Sequence, residues 1–158
     1  MSNTVIRDAE RSDLDAIMEI YHAAVHGLTS EHYDDAQRQA WAPDSLRTDA
    51  EHWSNRLGGR EILLGVREEA SAGFCAFTLD GLVDLLFTHP DHARCGVARA
   101  LLEEAEARMR RVGTIQARTG ASRLSRSLFA KLGYLEVSEE LADVRGARLP
   151  HTNMQKFL

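Results

Sequence analysis

The passage that most constrains this chain runs from residue 83 to residue 111, VDLLFTHPDHARCGVARALLEEAEARMRR. An apolar run of strand character breaks at a proline turn, crosses a short basic loop with one glycine, and enters a helix. That helix is predicted to start near Gly96 and to carry Val97, Leu101, Ala105, Met109 and Val112 on its core stripe, with Glu103, Glu104 and Glu106 outside it. Arg108, Arg110 and Arg111 fall in the last turns, where they complement the negative end of the helix dipole, and Gly113 stops the helix.

Before this passage, TVIRDAE reads as a strand, and Ser12 followed by Asp15 reads as an acidic capping box opening a helix over SDLDAIMEIYHAAV. Two short helices follow, one ending near Pro43 and one at Gly58-Gly59. EILLGVRE, AGFCAFTL and GLVDLLFTH then read as an antiparallel meander, with Asp80-Gly81 as a turn. After the long helix come a strand (TIQART), a helix ending on Gly133, a strand (YLEVSE) and a last strand (NMQKFL), with His151 and Asn153 ahead of it. The order predicts an α/β (α+β) fold: one mixed, mostly antiparallel sheet of six to seven strands flanked by helices, within a single domain over residues 1–158.

Composition narrows the function. Nineteen basic residues against 24 acidic ones give a net charge of −5, without the positive field that nucleic acid attracts. No apolar span reaches the roughly 20 residues of a membrane helix, and the first residues lack a signal-peptide pattern, so a cytoplasmic location without a membrane partner is expected. Cys75 and Cys95 are too few for a disulfide framework. His22 and His26 stand one helical turn apart, but no further ligand follows at usable spacing, so no metal is expected.

The start of the long helix invites an anion. Arg94, Cys95, Gly96, Val97 and Ala98 present consecutive amides that no earlier carbonyl satisfies. Gly96 allows close approach to the main chain, Ala98 leaves the first turn uncrowded, and Arg94 and Arg99 bring charge suited to a pyrophosphate. The pattern is neither GxGxxG nor GxxxxGK[ST], which argues against a dinucleotide fold or an NTPase. A plain tight entry into a helix is the competing reading.

These residues resemble the acyl-CoA-binding motif of the GNAT N-acetyltransferases: a strand, a loop of the form [QR]-x-x-G-x-[GA], and a long helix. IRDAERSDLDAI resembles that family's first strand and helix, AGFCAF its third strand, and ASRLSRSLFAKLGY its second motif. HYDDAQRQAWAP and RGARLPHTNMQKFL are similar to segments of a bacterial branch, so the likeness spans residues 3–158. It implies acetyl-CoA as cofactor, attack of a primary amine of a small molecule or protein on the thioester, and a homodimer as an assembly frequent among relatives. Leu86, Phe87 and Thr88 would offer main-chain groups to the pantetheine arm and the developing oxyanion, and Ser122 and Ser125 would lie near the cofactor. Ser122 serves equally as an N-cap. Two departures stand out: Ala93 replaces the usual Gln or Arg, and Phe129 replaces a tyrosine that protonates the leaving thiolate in many relatives. These leave a non-catalytic acyl-CoA-binding module as the alternative.

Asp84 interrupts the apolar run LVDLLF, where an unpaired carboxylate is costly. Strict alternation puts it on the face of Leu82, Leu86 and Thr88, either as a proton acceptor for the substrate ammonium or as a carboxylate paired with a hydroxyl or arginine. Tyr33 and Trp41, spaced with Gln37 to share a helix face, and His26 are the acceptor-binding candidates; packing is the other reading of that face.

Overall fold

The structure, a computed structural model, describes residues 3–158. In chain order it contains β1 (Thr4–Asp8), α1 (Leu14–Leu28), α2 (Asp35–Trp41), α3 (Ala50–Leu57), β2 (Glu61–Arg67), β3 (Ala70–Phe77), β4 (Leu82–Thr88), α4 (Val97–Arg111), β5 (Gln116–Ser122), α5 (Arg126–Lys131), β6 (Leu135–Val144) and β7 (Ala147–Phe157). The strands form one seven-stranded sheet in the order β1-β2-β3-β4-β5-β7-β6. Every neighbouring pair is antiparallel except β4 and β5, which run parallel.

Alternation along the central strands divides the core between the two faces of the sheet. Leu63, Cys75 and Phe77 join Leu101, Met109 and Phe129 under α4 and α5. Leu64, Phe74 and Ala76 join Ile17, Tyr21, Val25 and Trp53 under α1 and α3. Burial of the Cys75 thiol pushes its pKa up to about 12, so it is an inert core group.

Four local expectations are corrected. The first helix is entered through a turn in which the Glu10 amide donates to the Asp13 carboxylate at 2.7 Å, rather than through Ser12 and Asp15. Asp13 also takes both terminal nitrogens of Arg7, and these partners hold it there. On α4, Val112 lies past the helix end and is 58% exposed, whereas Glu106 is only 3% exposed. Tertiary partners make that burial tolerable, because Tyr134 Oη and Lys156 Nζ each donate to the Glu106 carboxylate at 2.8 Å. The last strand begins at Ala147, so His151 and Asn153 lie inside it. Pro150 is accommodated because β5 pairs with β7 only from His151 onward, leaving the missing N–H on an unpaired side.

Candidate active site

The site originates in a defect of β4. Phe77 pairs with Val83 and Ala76 with Leu85, so Asp84 is an extra residue with no partner in β3. This bulge reverses the alternation beyond it. Val83 packs under α4 while Leu85 and Phe87 pack under α1, and Leu86 turns to the α4 side. Asp84 therefore does not share a face with Leu86, as strict alternation predicts. It points toward α3.

The same bend separates β4 from β5. The two strands pair only at Leu82–Arg118 and Val83–Thr119, and Thr119 Oγ1 donates to the Val83 carbonyl at 2.9 Å at the point of divergence. Beyond that staple a cleft of about 1530 Å³ opens, lined by β4, the start of α4, the end of β5 and α5. The His89 amide bonds to the Ala72 carbonyl of β3 at 2.8 Å. The period of two then turns the main-chain groups of Thr88 and Leu86 into the cleft and those of Phe87 toward β3. The expectation that all three offer main-chain groups is thus corrected for Phe87, whose ring instead stands on an aromatic wall, 4.8 Å from Tyr21 and 6.0 Å from Trp41.

At the other end of the cleft the loop before α4 is wound by left-handed residues, Arg94 at φ 59° and Gly96 at φ 82°. This winding forms a concave row of amides, and among the described residues no protein acceptor takes the amides of Arg94 to Ala98. Glycine at 96 adopts the left-handed backbone without the strain a Cβ brings, a strain that Arg94 carries. Arg94, Gly96, Val97, Ala98 and Arg99 line the cleft. Cys95 turns its thiol back toward the Ala93 carbonyl at 3.5 Å and contributes main chain alone. Arg99 pairs with Glu103 at 2.8 Å on the surface. Ser122 and Ser125 exchange hydrogen bonds, each amide donating to the other's hydroxyl, so they cap the turn into α5 while lining the cleft. The basic lining residues Arg56, Arg94, Arg99, Arg123, Arg126 and Lys131 outnumber the acidic ones, Glu31, Asp84 and Glu136. A polyanion with a long thin arm suits such a cleft.

A sequence model described as the acetyltransferase (GNAT) domain matches residues 29–158. The chain belongs to the GNAT acetyltransferase family. An N-acetyltransferase of Escherichia coli K12, YafP, described as uncharacterized, is 27% identical over 150 residues, covering 93% of this chain and 91% of that protein. The crystal structure of a GCN5-related N-acetyltransferase from Rhodopseudomonas palustris superposes with a TM-score of 0.94 at 27% identity, over 100% of this chain and 98% of its own. YncA of Salmonella typhimurium, solved with its cofactor acetyl-CoA, superposes at 0.67 with 25% identity, over 99% of this chain and 95% of its own.

The far side of this GNAT cleft is walled by α2 and the β6–β7 hairpin. Tyr33 lies just before α2 and is buried; its hydroxyl donates to the Pro150 carbonyl at 2.9 Å and accepts the Arg123 amide at 3.0 Å. Gln37 donates to the Arg148 carbonyl at 2.9 Å. Those two residues tie the wall together; Tyr33 and Trp41 both line the cleft, Tyr33 buried and Trp41 partly exposed. His26 is not in the lining: its ring meets the Ala42 carbonyl at 2.7 Å, which ties α1 to the C-terminal end of α2.

Asp84 is paired. Arg56 Nη1 and Nη2 donate to its two oxygens at 2.5 and 3.1 Å, and Arg60 Nε donates at 2.5 Å. Burial pushes the Asp84 pKa up, but the hydrogen bonds and charge of Arg56, and then of Arg60, outweigh it and hold the group below the ordinary carboxylate value. A carboxylate so held is a weaker proton acceptor than a free one, and its arginine partners are those of the paired alternative. Arg56 and Arg60 were not singled out in the sequence. The signal was there in the cost of burying Asp84, which requires cations; α3 supplies Arg56 and the connection from α3 to β2 supplies Arg60. Phe129 is buried edge-on against Tyr134, ring centroids 5.0 Å apart, and offers no proton. Among the described residues no cluster of three or more His, Cys, Asp and Glu could hold a metal, and no helix is long and apolar enough to cross a membrane.

Proposed function

We propose that this chain transfers the acetyl group of acetyl-CoA to a primary amine held in the cleft between β4 and β5. The observation that carries the reading is the junction of that cleft with the open amides of Arg94 to Ala98. Those amides and the Arg94 and Arg99 side chains would hold the diphosphate. The main-chain groups of Leu86 and Thr88 would pair with the pantetheine arm, and the hydroxyls of Ser122 and Ser125 would flank it. Bound there, acetyl-CoA supplies a thioester carbonyl open to a nucleophile and a thiolate leaving group.

The protein's part is to orient and to exclude water. An inward amide of β4 would stabilise the oxyanion as the amine nitrogen bonds to the carbonyl carbon. As the C–S bond breaks, the sulfur would keep the electron pair and the amine proton would pass to water. A thiol with a pKa of about 8.5 departs readily as thiolate, so the phenyl ring of Phe129 is no obstacle. Asp84 acts here by fixing Arg56 rather than by moving a proton.

Calorimetry with CoA and amine-dependent thiol release from acetyl-CoA test the reading together. Saturation at 100 times Kd adds about 2.7 kcal/mol of stability. Binding without turnover on any amine would favour a CoA-binding module, the reading that the clamped Asp84 and Phe129 support. Absence of binding would refute both.

A further inference from the structure

We propose that the acceptor is a primary amine that also carries a carboxylate, and that Arg56 binds that carboxylate; the inference rests on the acetyl-transfer reading above. Arg56 and Arg60 meet a single carboxylate, Asp84, so the cluster keeps one net positive charge. Of the two arginines only Arg56 lines the cleft, and its side chain is 37% exposed. Asp84 engages one hydrogen on each terminal nitrogen of Arg56, and a guanidinium has five N–H donors, so donors remain for a second carboxylate. Asp84 also fixes the plane of the guanidinium, which lowers the ordering cost of a planar two-point contact.

The surroundings reinforce the sign. Arg145, outside the residues that line the cleft, donates to the Ala40 carbonyl at 2.8 Å and adds a second cation beside the Trp41 main chain. The chain as a whole carries −5, so this local positive charge is not inherited from composition. A polyamine or a lysine-rich peptide would bring its charges against Arg56. An amine bearing a carboxylate places its anion there and rests its apolar part on Trp41 and Phe87, which cross edge to face.

The test uses the full chain, acetyl-CoA and matched acceptors: apolar L-amino acids, their carboxamides, and spermidine, with thiol release as the readout. At neutral pH the amine of a carboxamide is the more available nucleophile, so a preference for the free acid reports binding. The free acids are expected to exceed the carboxamides in kcat/KM by roughly 10- to 100-fold, the loss typical of one charged hydrogen-bonded contact. In Arg56→Gln the ratio falls toward one, while Arg56→Lys retains part of it. Calorimetry of the wild-type CoA complex gives a readout that does not depend on any variant folding: N-acetyl-L-phenylalanine should bind and its carboxamide should bind at least tenfold more weakly. Carboxamides or spermidine turning over faster than the acids, an acid preference that persists in Arg56→Gln, or equal binding of the two products would overturn the inference alone. CoA binding with no turnover on any amine would overturn the transferase reading and this inference with it.

Discussion

Gly96 and Gly113 make a matched pair, one at each end of α4. Their φ values are +82° and +84°, so replacing either with alanine imposes the same left-handed strain, about 1–2 kcal/mol. With an unfolding entropy of about 2.1 cal/mol/K per residue over 158 residues, near 330 cal/mol/K in all, each variant should lose roughly 3–6 °C in Tm. Only Gly96 sits in the row of amides facing the cleft; a Cβ at Gly113 meets nothing within 4 Å. Relaxing residue 96 out of the left-handed region turns at least one amide away from the anion. Losing one hydrogen bond to a charged group, worth about 1.5–3 kcal/mol, raises Kd roughly 10- to 150-fold. Thermal unfolding of the free protein and calorimetric titration with CoA measure the two effects separately. Gly113→Ala should show the first alone and Gly96→Ala both. Equal CoA affinity in the two variants would refute the assignment of the amides to the diphosphate.

Glu106→Ala leaves Lys156 and Tyr134 without their partner in a nearly closed site; it should cost about 3 kcal/mol, or roughly 9 °C in Tm, with CoA affinity retained. Because the Asp84 pKa is lowered in the folded state, its stabilisation is complete above the unfolded value of about 3.9 and is lost as pH falls through the lower folded value. The stability gap between wild type and Asp84→Asn should therefore be constant from pH 5 to pH 8 and close in stronger acid, as denaturant titrations at each pH would show; a gap that closed between pH 6 and 7 would contradict the arginine clamp. Phe129→Tyr should change kcat by no more than about threefold, since thiolate departure needs no acid at neutral pH; a tenfold rise in single-turnover rate would mean that protonation is limiting. Thr119→Val removes the hydroxyl that holds β5 on the Val83 carbonyl and should cost about 1 kcal/mol by denaturant melt.

Local rules were enough for much of this chain. Apolar period and turn residues marked the meander of β2, β3 and β4, the body of α4 and its stop at Gly113, because those signals act over a few residues. The open amides at the start of α4 were legible for the same reason: a helix start leaves its first N–H groups unpaired whatever surrounds it. The quoted motifs carried the family resemblance that the match over residues 29–158 then bore out.

Position across the sheet was decided elsewhere. Period-two alternation assigned Asp84 to the face of Leu86, and a single bulged residue reversed that assignment, a shift no run of side chains in β4 announces. The partners that settle the charged groups are distant in sequence: Arg56 and Arg60 for Asp84, Lys156 and Tyr134 for Glu106. Most strands and helices, and the unpaired amides before α4, could be read from residues a few positions apart, whereas the first half of β7 could not. Which carboxylates are buried with partners, which main-chain groups face the cleft, and that Arg56 lines it depended on the assembled sheet. Burying a charge is governed by what the rest of the chain brings within hydrogen-bonding distance, and that is a property of the packed sheet.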